Sequence, residues 1–412
     1  MSTRLADDCF ALPPGVDWTP VDDALGLLRD RLTCVCAAVD GPLEVGAVLA
    51  EPVLARRDNP PTDNAAVDGF AFAWENAAAE ADLGLADGRA AAGHPFPGRL
   101  SPGEALRILT GAELPAGADT VVLEEDCTIS AGRVRFPRPK RKGANRRAKG
   151  EDARVGGLAL EEGTVLGPQH IARAAIVGVH RARMRERLRV GVLSTGDELI
   201  TPGDDGPGIP DANWPMLEGF CGRQGYRPLH LGRAHDQVDA VRDALDRGAA
   251  TADAILTTGG ASAGDEDHVS RLLREEGQLH TWRIAVKPGR PLVLGLWRGV
   301  PVFCLPGNPV AAFVCALIFV RPALRVLAGA PWEDPQGFAV PAAFEKSKKP
   351  GRREFLRARL DGQGRAEVFR SEGSGLVGGL AWATGLVELP DGALTVRPGD
   401  KVRYLPYASF GL

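Results

Sequence analysis

The feature that most constrains this chain is an alternation across residues 188–330. Short apolar runs (LRVGVLS, RPLHLGRA, DAILTT, HTWRIAV, LVLGLW, VPVFCL) are interleaved with segments of helical period. The segment QVDAVRDALDRGAA puts Val238, Val241 and Leu245 on one stripe. NWPMLEGFCGRQG, HVSRLLREEG and VAAFVCALIFVRPALRVLAG read as further helices. Strands alternating with helices of this length predict a parallel, doubly wound α/β sheet. Continuously apolar strands fit a sheet covered on both faces.

In such a sheet, ligands bind beyond the carboxyl ends of the strands. Four loops follow strands here: Thr195-Gly-Asp-Glu198, GGASAGDED from Gly259 to Asp267, Lys287-Pro-Gly-Arg290 and Pro306-Gly-Asn-Pro309. Parallel strands gather them at one edge. Gly259, Gly260 and Gly264 let backbone N–H groups approach a phosphate. Asn308 and Pro309 read as the cap and first residue of a helix whose start faces an anion. Lys287, Arg290 and Arg283 add positive charge. Asp197, Glu198, Asp265, Glu266 and Asp267 offer oxygen ligands to a hard cation, and magnesium commonly takes one or two carboxylates plus substrate phosphates. A lone glycine turn is more often only a turn, and acids after a strand often only cap a helix. Four such loops from separate segments point instead to a phosphorylated ligand held through a divalent metal.

The flanking regions differ in texture. Residues 17–50 open with WTPVDDALGLLRDRL, a helix with Thr19 as its cap and Leu25, Leu28 and Leu32 on one face. Residues 51–155 are rich in Gly, Pro and short β-like runs. Residues 156–186 hold a strand, a turn and the helical core IARAAIVGV. Residues 335–412 return to short strands separated by turns, which reads as a small β-barrel or sandwich. At 412 residues the chain is long enough for two to four domains.

Net charge is −4, which argues against a globally basic nucleic-acid binder. The segment Arg138–Lys149 has seven basic residues in twelve. No aromatic interleaves it, so a stacking platform for single strands is missing. It reads either as a solvated loop or as a seat for a small anion. The acidic loop Asp58–Phe70 reads equally as a ligand-facing loop or as a connection rich in Asx turns. The start MSTRLADDCFALPPG lacks an apolar core of signal-peptide length, and the longest apolar run, Val310–Val320, is short of a membrane span. Seven scattered cysteines form no disulfide framework or zinc pattern. A cytoplasmic protein without membrane or nucleic-acid partners is expected, with the cysteines of VFCLPG and FVCAL buried as small hydrophobes.

The motifs DNAAVDGFA, ILTGAELPAGAD, NRRAKGED, VGVLSTGDELI, TTGGASAGDEDHV, AVKPGRPLVLG and CLPGNPVAAF, in this order, resemble those of the molybdopterin molybdenumtransferases, which include the C-terminal domain of gephyrin. The resemblance spans residues 17–408. It implies an enzyme of molybdenum cofactor biosynthesis that moves molybdenum from molybdate onto the dithiolene of adenylylated molybdopterin, with Mg2+, releasing AMP. It also implies a homodimer. Its domains would be an elongated dimerisation domain (1–50 with 156–187), an inserted β-rich domain (51–155), a molybdopterin-binding α/β domain of the adenylyltransferase type (188–330) and a C-terminal β-barrel (331–412). The active cleft would lie between the α/β domain and the second domain of the partner subunit. A pterin adenylyltransferase would act upstream, and a molybdoenzyme or cofactor chaperone downstream.

By motif position, the resemblance makes Asp68, Glu198, Asp267 and Lys287 catalytic, with Glu198 and Asp267 on the metal. Thr110, Arg147, Asp152 and Arg283 would contact substrate. So would Gly259, Gly260, Ser262, Gly264 and Arg290, and the turn of Pro306, Gly307, Asn308 and Pro309. The sequence departs from the family's usual Ser-Ala-Met-Asp-Gly-Tyr at Ala65, Val67 and Phe70, from its usual lysine at Arg283, and from its usual paired acids at His235-Asp236. The alternative these departures raise is a specialised paralogue that binds or carries the cofactor without catalysis. A pterin adenylyltransferase itself would need neither residues 51–155 nor 335–412.

Overall fold

A computed structural model describes residues 19–259, 268–280, 284–289, 292–373 and 375–412. Gly260, Ser262, Gly264, Asp267, Arg283 and Arg290 lie outside them. The chain forms two compact units. One comprises residues up to Ala50, 163–166 and 183–412, and the other comprises 51–162 and 167–182. Residues 167–182 therefore go with the inserted segment, not with the first 50 residues. The reason is local: Val177 O accepts from the amides of Arg56 and Arg57, and Leu158 pairs with Leu54.

The first helix, α1 (Val21–Arg31), buries Val21, Ala24 and Leu28. Thr19 is not its cap. Pro20 occupies that position, and the Thr19 carbonyl instead accepts from the Ala285 amide.

The inserted unit is built on six strands: β1 (Gly69–Phe72), β2 (Glu80–Ala90), β3 (Glu104–Ile108), β4 (Thr120–Leu123), β5 (Thr128–Ser130) and β6 (Arg133–Pro137), in the order β4-β1-β3-β2-β6-β5. Strand alternation sends Phe70 and Phe72 into one core and Ala71 into another, so β1 is buried on both faces. Helix α2 (Pro168–Ile176) starts with proline at its first turn, where no amide partner is lost.

The other unit contains the alternating segment: β7 (Arg189–Thr195), α3 (Asn213–Arg223), β8 (Arg227–Ala234), α4 (Val238–Thr251), β9 (Ala254–Thr258), α5 (His268–Glu275), β10 (Gln278–His280), β11 (Val293–Trp297), β12 (Val300–Leu305) and α6 (Pro309–Leu327). The strand order is β8-β7-β9-β12-β11-β10. Strands β8, β7, β9 and β12 are parallel, whereas β11 runs antiparallel between β12 and β10. The sheet is thus mixed rather than all-parallel. Arg298 and Gly299, both with positive φ, turn β11 into β12 as a two-residue hairpin. Val190, Val192, Phe303 and Leu305 pack on one face with α1, α3 and α6. Leu193, Ile255, Val302 and Cys304 pack on the other with α4 and α5. Double winding follows from this period of two.

Helix α6 is long and apolar enough to cross a membrane by length and composition, longer than its 310–320 apolar run suggests. It is a core helix, and the apolar stretch is mostly buried in the protein. A π-turn over Ala316–Val320 absorbs the amide missing at Pro322. Cys304 and Cys315 are fully buried, and burial pushes the Cys315 thiol up to about 12.

The C-terminal strands are β13 (Phe338–Pro341), β14 (Arg353–Leu360), β15 (Ala366–Val368), β16 (Gly385–Leu389) and β17 (Lys401–Pro406). They pair antiparallel as β14-β16-β17-β13, with β15 also on β14. A short ladder between Lys346–Lys348 and Leu394–Val396 contributes to the same core. Val286 and Lys287 add to the edge of β14 in parallel, so the KPG loop starts on this sheet.

Candidate functional site

The carboxyl edge of the parallel strands brings three of the four expected loops together. At Gly259, which has φ +87°, a Cβ would stand 2.7 Å from Thr195 Oγ1 and 2.8 Å from Thr195 O. A Cβ on Gly307 would stand 3.6 Å from Gly259 Cα. The strand ends of β7, β9 and β12 therefore approach so closely that Gly259 leaves no room for a side chain. Asn308 caps α6 as expected, with Oδ1 accepting from Val310 N at 3.0 Å and Ala311 N at 3.4 Å. That corrects one expectation. The first amides of α6 are engaged by Asn308 and are not open to an anion.

Two residues of this edge escaped the sequence reading. Asp211 accepts from Ser194 Oγ at 2.5 Å and from the amides of Asn213 and Trp214, which fixes the start of α3. Asn213 donates from Nδ2 to Gly307 O at 2.7 Å, while its Oδ1 is buried without a partner among the described residues. A buried acceptor lacking a donor, beside two glycine loops, suits a ligand N–H or O–H. The only sequence signal was an Asp-x-Asn pair before an apolar helix.

Glu198 is exposed, and among the described residues nothing pairs with its carboxylate. Its neighbour Asp197 is held by His235, with Nδ1 and Oδ1 2.8 Å apart, and by the Asp236 amide at 3.3 Å. The His235 contact, then the Asp236 amide, holds the Asp197 carboxyl below its usual value. His235 thus fills its departure from the family pattern with a direct contact. Among the described residues, no three metal-binding side chains cluster.

Lys287 sits in a square of alternating charge. Its Nζ is 2.7 Å from Glu372 Oε2 and 3.5 Å from Glu354 Oε1. Lys346 closes the square, 3.1 Å from Glu354 and in direct contact with Glu372. Burial opposes ionisation of Glu372, but hydrogen bonds from Lys287 and Lys346 outweigh it and hold the carboxyl below its usual range. Lys287, Lys346 and Glu372 of the square border a cavity of about 230 Å³, also lined by Val310 at the start of α6, Glu345, Arg357 and Arg370. Arg357 spends its N–H groups on the carbonyls of Ser371, Gly373 and Leu376, which shapes the loop carrying Glu372.

In the inserted unit, three motifs converge on residues 64–65. Asn64 and Ala65 pair with Arg147 and Arg146, and the Ala65 backbone exchanges hydrogen bonds with Gly111 and Ala112. Asp68 Oδ1 thereby meets Thr110, accepting from both its amide and its hydroxyl. Gly69 is obligatory, since a Cβ there would lie 1.8 Å from Val122 O. Arg147 is exposed. Asp152 is not a free substrate contact, because it accepts from Asn59 Nδ2 at 2.7 Å and is ion-paired with Arg173. Asp58 and Asp63 are spent too: Asp63 pairs with Arg146 at 2.9 Å and Asp58 accepts from the Val155 amide. These acids pin the basic segment to the acidic loop.

Residues 19–178 match the family "MoeA N-terminal region (domain I and II)", 191–326 match "Probable molybdopterin binding domain" and 339–407 match "MoeA C-terminal region (domain IV)". The molybdopterin molybdenumtransferase of Haemophilus influenzae is 31% identical, over 87% of this chain and 91% of its own length. A molybdopterin molybdenumtransferase 2 of Mycobacterium tuberculosis is 33% identical, over 89% and 95%. The chain belongs to the molybdopterin molybdenumtransferase family. A crystal structure of the molybdopterin biosynthesis moeA protein of Pyrococcus horikoshii shares 28% identity, covers 95% of this chain and all of its own, and superposes with a TM-score of 0.82. Two departures from the family pattern are core positions here: Ala65 and Phe70 are fully buried, so the missing hydroxyls fall where apolar packing replaces them. The Arg283 departure lies outside the described residues.

Proposed function

We propose that this protein transfers molybdenum from molybdate to the dithiolene of adenylylated molybdopterin, releasing AMP and molybdenum cofactor. The observation that carries this reading is the convergence of Thr195, Gly259 and Gly307 at one sheet edge, beside an Asn213 Oδ1 that has no partner among the described residues. That edge suits the nucleotide and pterin, where close backbone approach replaces side chains. The cavity beside Lys287 suits molybdate. Four cationic side chains line it against two acidic ones, and its volume is below the roughly 300–1,000 Å³ of pockets for larger organic ligands.

Glu198, exposed and unpaired among the described residues, fits a hard cation shared with substrate phosphates, and Asp267, the second carboxylate that the resemblance implies, lies outside the described residues. Magnesium, when bound there, would neutralise phosphate charge during cleavage of the adenylyl group. The carboxylate of Asp68, fixed by Thr110, is an oriented base or ligand contact in the inserted unit. A homodimer in the cytoplasm completes the proposal. Thiols at Cys36, Cys221 and Cys315, buried and outside any disulfide, support a reducing compartment. A pterin adenylyltransferase would supply the substrate, and a molybdoenzyme or cofactor chaperone would take the product. The carrier alternative has little to favour it, since the relatives this chain resembles are named as molybdenumtransferases.

The deciding experiment supplies purified protein with adenylylated molybdopterin, molybdate and magnesium, and follows AMP and cofactor. Turnover should require all three and fall in Asp68→Asn and Glu198→Gln. AMP release no faster than without protein would overturn the proposal.

A further inference from the structure

The charge square beside the Lys287 cavity is built unevenly. Lys346 and Glu354 are both about nine-tenths buried, so theirs is a fixed internal pair. Glu372 is different. Its side chain is 47% exposed, it sits on a loop held by Arg357, and it reaches both lysines at once. An incoming oxyanion meets Lys287 already neutralised by this carboxylate. Glu372 occupies the place on Lys287 that an anion from solution would take, and both cannot hold the ammonium with full strength.

We propose that Glu372 sets the affinity and selectivity of the oxyanion site, as a resident carboxylate that a dianion must displace from Lys287. The assignment rests on the oxyanion reading of the cavity. Displacement is inexpensive for the fold. Lys346 keeps Glu354, Lys287 gains the dianion, and Glu372 turns to solvent, where an exposed carboxylate loses little. A monoanion replaces one charge with one and gains nothing. A dianion gains a second charge against Lys287, Arg357 and Arg370, so the device favours tetrahedral dianions over chloride at cellular concentrations. The fixed Lys346–Glu354 pair keeps the cavity from collapsing when Glu372 leaves.

The test measures molybdate binding to the full-length protein by equilibrium dialysis, without pterin, for wild type, Glu372→Gln, Glu372→Ala and Lys287→Ala. Removing the resident charge should tighten binding about fivefold, on the scale of an exposed ion pair. Chloride should compete more strongly in the same variants. In turnover, KM for molybdate should fall while kcat stays near wild type. A purely structural role would move thermal stability but not this split. Unchanged or weaker binding in both Glu372 variants, with Lys287→Ala impaired, overturns the role of Glu372 alone. Wild-type binding in Lys287→Ala overturns the oxyanion reading beneath it, and the proposal with it.

Discussion

Asp68 Oδ1 accepts two hydrogen bonds from one residue, 2.7 Å from the Thr110 amide and 2.6 Å from the Thr110 hydroxyl. The hydroxyl first, and then the amide, hold the Asp68 carboxyl below its ordinary 3.8. A depressed folded value means that the contribution is present above the ordinary value and lost as pH falls through the depressed one. In Thr110→Val the amide bond remains and the hydroxyl bond goes. Asp68 should then titrate at higher pH than in wild type, followed by carboxyl carbon NMR, and Thr110→Ser should restore it. An unchanged titration would show that the hydroxyl does not hold the anion.

Gly69 follows Asp68 because nothing larger fits. A Cβ there meets the Val122 carbonyl at 1.8 Å, inside the β1–β4 ladder. Backbone cannot move aside as a flexible side chain does. Gly69→Ala should destabilise the inserted unit by about 3 kcal/mol or more, read as a lower urea midpoint. A midpoint equal to wild type would place the strand differently.

How much of this was legible follows from how each residue acts. Gly259, Asn308 and Pro309 announce themselves, because positive φ and helix capping restrict residue type locally. The two faces of the sheet follow from strand alternation, visible at Val190 and Val192 against Leu193. The antiparallel β11 was hidden because its hairpin uses Arg298-Gly299 rather than the Asn-Gly or Asp-Gly that mark such turns. Asn213 and Glu372 act only through partners distant in sequence, Gly307 and Lys287, and no local pattern marks such pairs. Asp152 is similar: its partners Asn59 and, on α2, Arg173 are distant in sequence and unmarked by its motif.

That pairing gives Asp152 a structural assignment that kinetics can separate from substrate contact. The Asn59 amide, against a small opposing effect of burial, and then Arg173 hold its carboxyl below the ordinary value. The clasp is therefore present above the ordinary carboxylate value and lost as pH falls through the lowered one. Asp152→Asn should leave KM for both substrates near wild type and should flatten the acid limb of a pH–stability profile. A KM raised tenfold with that limb unchanged would restore the substrate role.

Asn308 separates two uses of a helix start. Its Oδ1 takes the amides of Val310 and Ala311, so these donors stabilise α6 rather than reaching toward an anion. Loss of an N-cap typically costs about 1 kcal/mol. Asn308→Ala should lower stability by about that amount in urea unfolding. It should also raise KM for molybdate far less than Lys287→Ala does, because in this arrangement lysine rather than the helix supplies the positive charge. The comparison is clean only if both variants retain the fold, which the same unfolding curves report. If Asn308→Ala instead impaired molybdate binding as severely as loss of Lys287, the cap would have to release those amides to the oxyanion during the reaction, and the start of α6 would belong to the binding site after all.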